Sequence, residues 1–166
     1  MAVDSRRILI VAHRTALNPS LVDVVADRAS QSPAEFRLLV PAVAHGLHRF
    51  VDPEDHCCAE AQATLDAALP ALSGAAGAPI PGVIGSHDPF AAVWDALNIG
   101  AYDEVIVATQ PNRLLRWLRI DLPRRVAALG VPVTAVAAAE EIGAPGSGLR
   151  GQVRSVAVFT RAILGR

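Results

Sequence analysis

Five short runs of aliphatic, largely β-branched residues limit what this chain can fold into: RILIVA (7–12), FRLLVPAV (36–43), IPGVIG (80–85), DEVIVAT (103–109) and VPVTAVA (131–137). A strand with one wet face alternates apolar and polar residues. These runs are nearly continuous in apolar character, so both faces of each strand must be covered. The segments between them are long enough for helices, and an alternating strand–helix order predicts a five-stranded parallel α/β sheet with helices on both faces. Right-handed crossovers make it doubly wound, with any ligand beyond the carboxyl ends of the strands where the winding reverses. The corners that matter follow the first and fourth strands.

Three helix starts share one pattern: Asn18-Pro19, Asp52-Pro53 and Asp88-Pro89. The Asn or Asp oxygen accepts from an orphan N–H, and proline at the first helical position gives up a donor that has no partner there. Leu21, Val24 and Val25 in the first helix, and Phe90, Val93, Trp94 and Leu97 in the third, recur at helical spacing and are expected to face the sheet.

The chain has 166 residues and is 52% hydrophobic, enough for one domain with a core. Its net charge is −1, with 15 Arg, no Lys and 16 acidic residues, so no long-range field gathers nucleic acid or an anionic membrane. The apolar run near the N-terminus is shorter than the ~7–15 residues of a signal-peptide core and the ~20 of a membrane span. A cytoplasmic location is therefore expected. Cys57 and Cys58 are adjacent, which disfavours a disulfide between them and does not suit zinc. With His45, His48 and His56 they lie within fourteen residues, but no second pair at ligand spacing accompanies them, and no metal site is expected.

The strand order, the corner positions and the pair GSHDPFAAVWDAL (85–97) and YDEVIVAT (102–109) resemble a universal stress protein domain over roughly residues 6 to 138. The likeness is nearest to a divergent branch of that family in which a WLRxDL segment, here Trp117 to Leu122, replaces the glycine motif. The resemblance implies strand order 3-2-1-4-5. It divides the chain into an α/β domain at 1–138 and a linker with C-terminal extension at 139–166. It also implies a ligand crevice between strands one and four, formed by Ala12, His13, Arg14, Thr15, Val40, Ala108, Thr109, Gln110, Asn112, Arg113 and Asp121.

Nucleotide-binding members of the family carry Gly-x2-Gly-x9-Gly-Ser/Thr after strand four. Laid on this chain, those positions are Ala108, Pro111, Asp121 and Leu122. Every glycine and the hydroxyl are replaced. Pro111 has no N–H to offer a phosphate, and Asp121, which precedes LPRRVAALG, is placed to cap the last helix and to put a carboxylate where an anion would bind. His13 stands where the family usually has an acidic residue. ATP or AMP is accordingly not expected as a tightly held cofactor.

Arg113, Arg116, Arg119, Arg124 and Arg125 fall within thirteen residues and could clamp a small anionic ligand through bidentate forks. The plainer alternative is a solvated helix face. His13 could be a proton-transfer group, but no nucleophile or orienting partner can be assembled around it by spacing. Nucleic-acid binding has only Trp117 for stacking and the wrong net charge.

The function expected first is a non-catalytic binding or regulatory module with degenerate nucleotide chemistry. A small nucleotide-dependent hydrolase or transferase, or a pure assembly protein, are the alternatives. By resemblance a homodimer is expected through the edge strand at 131–136. The tail QVRSVAVFTRAILGR fits both a helix face through Val153, Val156, Thr160, Ile163 and Leu164 and a strand at VAVF, and it is placed to cover or extend that edge.

Overall fold

The computed structural model describes residues 5–43, 53–109, 121–137 and 156–159, with side chains for all of these except 53–57, 121 and 156–159. Its elements are β1 (Arg6–Val11), α1 (Pro19–Gln31), β2 (Ala34–Pro41), α2 (Pro53–Ala76), β3 (Gly82–Gly85), α3 (Pro89–Ile99), β4 (Glu104–Thr109), α4 (Asp121–Ala127), β5 (Val133–Ala137) and β6 (Val156–Phe159). One sheet holds all six strands in the order β3-β2-β1-β4-β5-β6. The first five are parallel, in the predicted order, and β6 is antiparallel.

The continuous apolar runs do cover two faces. In β1, Ile8 and Ile10 enter a cluster with α1 and α2, while Leu9 and Val11 enter another with α3 and α4. The same split divides β4 into Ile106 on one side and Val105 and Val107 on the other. Because strand side chains alternate, a strand can be apolar throughout only if helices lie on both sides.

Two of the three Asx-Pro starts fall within the described residues, and both cap. Asn18 Oδ1 accepts from Ser20 N–H at 3.1 Å. Asp88 Oδ1 accepts from Phe90 N–H at 2.7 Å and Ala91 N–H at 3.0 Å. The Ala91 N–H chiefly holds the Asp88 carboxyl below its ordinary value; desolvation opposes the shift, and the Phe90 N–H and the charge of Arg125 add to it. Asp88→Ala is expected to lower stability by about 1 kcal/mol, from the loss of two cap acceptor contacts, with Asp88→Asn losing less. Urea denaturation of the three proteins checks this, and equal stability of wild type and Asp88→Ala would remove the cap from the account. Asp52 lies outside the described residues, although α2 does begin at Pro53.

Leu21, Val24 and Val25 are buried as expected, and so is Val93. Trp94 is not: the residue is 48% exposed. Ala92 and Ala96 join the buried stripe of α3, which turns the inner face toward them and leaves Trp94 on its shoulder. The small residues let α3 approach β3 closely, since a Cβ on Gly85 would sit 2.6 Å from that of Ala92. The last helix closes at Gly130, which has φ 90° and donates its N–H to Ala127 O at 3.1 Å. That positive φ is why glycine ends this segment.

The tail supplies a strand rather than a helix at 156–159, paired on β5 with Val133 opposite Phe159 and Val136 opposite Val156. The edge at 131–136 that the resemblance assigns to homodimerisation is therefore paired over 133–136 with a strand of the same chain, where the tail is expected to cover or extend it.

The sheet is locked at its amino end by a buried cluster that no local pattern announces. Glu104, the first residue of β4, has a side chain only 5% exposed. It accepts from Arg28 Nε at 3.1 Å, Arg28 Nη2 at 3.0 Å, Thr134 Oγ1 at 2.7 Å and Arg6 Nη2 at 3.3 Å. The end of α1 is thereby tied to β1, β4 and β5. Burial pushes the Glu104 carboxyl up, but the hydrogen bonds from Arg28 and Thr134 and the charges of Arg28 and Arg6 outweigh it, so the group titrates below its ordinary value.

Candidate functional site

The reversal of winding falls between β1 and β4, as expected. Val11 lies opposite Val107, so Ala12 and Ala108 emerge next to each other at the carboxyl ends of the two strands. The chain after β1 turns through His13, Arg14 and Thr15, with Ala16 N–H donating to His13 O and Asn18 N–H to Thr15 O, both at 3.0 Å, before α1 begins. This tight turn brings Thr15 back over the strand ends.

Thr15 is 7% exposed, and its Oγ1 donates to Ala108 O at 3.1 Å. The two flanks of the crevice are thus stitched to each other. Thr109, one residue on, donates from Oγ1 to Val136 O at 3.4 Å. Both hydroxyls proposed as ligand contacts are engaged by backbone carbonyls of the sheet. Ala12 is buried, and its N–H donates to Leu39 O at 3.2 Å. Val40 is wholly buried in the cluster beneath α1 and α2. At the rim, Arg14 Nε lies 3.8 Å from Glu60 Oε1 of α2, with both side chains well exposed. A pair of that kind contributes little.

The described residues thus bring together Ala12, His13, Thr15, Ala108 and Thr109, with Arg14 at the rim and Val40 below. Gln110, Asn112, Arg113 and Pro111 lie outside the described residues, as do Arg116, Arg119 and Trp117. Asp121 is the first residue of α4, and its side chain is outside the described set. Leu122, which occupies the hydroxyl position of the nucleotide motif, is half-buried and packs on the core cluster beneath α3 and α4. Of the arginine cluster, Arg124 and Arg125 are described and exposed. Arg125 lies 3.9 Å above the ring of Phe90 on α3, a cation–π contact that gives it a structural partner.

Sequence reasoning missed the Thr15–Ala108 bond. Its partners are 93 residues apart, and a threonine in a turn carries no signal of which carbonyl it will meet. It also had no means of finding a depression of about 260 Å³ at the opposite, amino end of the sheet, between Arg7, Phe36, Arg37, Ile80 and Tyr102. That depression is remote from both corners. His45 and His48 lie outside the described residues, as do the side chains of His56 and Cys57 on α2, while Cys58 is an exposed free thiol on the same helix. No helix among the described residues is long and apolar enough to cross a membrane.

The class defined by this geometry is a doubly wound α/β domain whose winding reverses between β1 and β4. Among solved structures the chain is similar to a universal stress protein in complex with cAMP, with a TM-score of 0.57 and 14% identity over 81% of this chain and 98% of that one. It has the universal-stress-protein fold. PaaA, solved in its selenomethionine form, superposes with a TM-score of 0.36 and 11% identity over 80% of this chain and 40% of that one. That overlap is too loose to bear on the fold. No protein-family profile and no curated protein matches the sequence.

Proposed function

We propose that the protein is a non-catalytic, stress-protein-like binding or regulatory module of the cytoplasm in which adenine-nucleotide binding has degenerated. The observation that carries this reading is the Thr15–Ala108 bond across the crevice. In a phosphate-binding corner glycine lets backbone N–H groups approach the ligand. Here the first motif position is an alanine held by a side chain from the opposite flank, and the last is a leucine packed on the core. Pro111 removes a further donor by its chemistry alone.

The neighbour solved with cAMP favours a second reading, an adenine-nucleotide binder that uses the arginines after strand four in place of the backbone nest. Calorimetry with ATP and magnesium, and separately with cAMP, decides between them. Under the first reading both bind more weakly than ~0.1 mM, a free energy less favourable than about −5.5 kcal/mol. A micromolar constant for either ligand, lost in an Arg113→Ala/Arg116→Ala double variant, establishes the second.

A further inference from the structure

We propose that the depression at the amino end of the sheet is a binding site for a small apolar monocarboxylate, with Arg7 and Arg37 as its anion-binding groups. It lies at the opposite end of the strands from the β1–β4 corner, so the inference goes beyond the proposed function and does not depend on it.

On β1 and β2 the odd-numbered side chains face α3 and α4, since Leu9, Val11 and Leu39 belong to that cluster. By strand alternation Arg7, Glu35 and Arg37 continue the same face toward the amino end, and all three are exposed. Strands that are otherwise apolar on both faces thus carry charge on one of them here. Glu35 stands directly opposite Arg7, and Arg37 is opposite Leu9, two residues further along.

The Arg7 guanidinium lies over the Tyr102 ring, 5.5 Å from its centre. A Cβ on Gly100 would meet Arg7 Nη2 at 3.3 Å, so the same group also packs against the end of α3. Asp103 is close, but its Oδ2 accepts from the Arg7 backbone N–H at 2.7 Å. Neither Arg7 nor Arg37 forms an ion pair with a carboxylate among the described residues. Set against Glu35, the two guanidinium groups leave a surplus of one positive charge. That surplus suits a single negative charge rather than a chain of phosphates, and the planar fork of arginine matches the two oxygens of a carboxylate.

The remaining lining is apolar and fixed. It includes Phe36 and Ile80, both 6% exposed, and the prolines on either side of Ile80. Pro81 O accepts from Leu38 N–H at 3.0 Å, and Ile80 N–H donates to Ser73 Oγ at 3.1 Å. Pro79 and Pro81 also have locked φ angles, so this wall requires little ordering when a ligand arrives. At about 260 Å³ the depression is slightly below the ~300–1,000 Å³ of pockets for drug-sized ligands, which favours a molecule of roughly ten heavy atoms.

The test is a titration of the full chain with benzoate, benzamide and inorganic phosphate in turn, followed by the NMR signals of backbone amides. Benzoate is expected to shift the signals of Arg7, Glu35, Arg37 and Tyr102 saturably, with a Kd of about 0.1–1 mM, and to leave Ala12, Thr15 and Ala108 in place. Benzamide keeps the shape without the charge, and phosphate keeps charge without the apolar body. Each should bind at least roughly ten times more weakly, as should benzoate to Arg37→Gln, because a charge-assisted contact or the buried apolar area is lost. Glu35→Gln removes the opposing charge and should bind benzoate more tightly than wild type. Both substituted residues are exposed, so both variants are expected to melt with the wild type, and the Glu35→Gln measurement stands independently of Arg37→Gln. Benzoate that gives no saturable shift up to about 10 mM overturns the inference. So does benzamide or phosphate binding as tightly as benzoate, a response centred on Ala12 and Ala108, or unchanged benzoate affinity in the two variants.

Discussion

Arg28→Met is expected to destabilise the protein by about 3 kcal/mol at neutral pH, the low end of the ~3–5 kcal/mol lost when one partner of a buried ion pair is removed. Methionine keeps the length and apolar stem of arginine but leaves Glu104, only 5% exposed, with Thr134 and the more distant Arg6. Those two remaining contacts, and the 22% exposure of Arg28 itself, place the loss at the low end of the range.

The pH dependence has a definite sign. Glu104 titrates below its ordinary 4.5 in the folded protein, so in the acid range the unfolded chain binds more protons. The stabilisation is complete above that ordinary value and is lost as pH falls through the depressed one. Without Arg28, its hydrogen bonds and charge no longer offset burial and the carboxyl moves up from its wild-type position, so acid is expected to weaken the variant less than the wild type. The stability gap between them should narrow as pH falls. Urea unfolding at neutral pH and in the acid range measures both quantities, and a loss below about 1 kcal/mol with a constant gap would show that the cluster does not hold α1 to the sheet.

Gly85→Val is expected to cost about 3 kcal/mol, the upper part of the usual range for overpacking a core. A Cβ at this position meets Ala92 Cβ at 2.6 Å and Leu39 Cδ1 at 2.9 Å. The leucine methyl can turn aside, but Ala92 Cβ is fixed to the backbone of α3, so the helix itself must move. Gly74→Ala is the control. It lies in α2 with nothing within 4 Å of its added methyl, and is expected to raise stability by roughly 0.5 kcal/mol through the lower conformational entropy of the unfolded chain. Thermal unfolding should thus shift in opposite directions for the two variants. A Gly85→Val protein as stable as wild type would mean that α3 is not seated against β3 as the distances require.

The elements that could be read from sequence are those whose causes are local. Asn18 and Asp88 cap helices through bonds to residues two and three positions on, and the unbroken apolar runs of β1 and β4 require two helix layers whatever the rest of the chain does. Trp94 shows the limit of that method. Its spacing put it on the inner face, but alanines carry as much weight as large side chains in deciding how closely and at what angle a helix sits, and a periodicity count of bulky residues overlooks them. For 156–159 both helical and strand patterns fitted, and pairing with β5 decided between them.

The sequence by itself determined the layered architecture, the helix starts and the loss of glycines after strand four, because burial periodicity, caps and missing donors act within a few residues. The tertiary structure alone decided which groups meet. Thr15 reaches a carbonyl 93 residues away, Arg28 a carboxylate 76 away, and β5 receives a strand from beyond a long connection. These contacts depend on crossover handedness and strand order, which bring distant positions to one edge or one end of the sheet. Hydrogen-bond strength depends on ångström distances and angles, and no one-dimensional spacing specifies them.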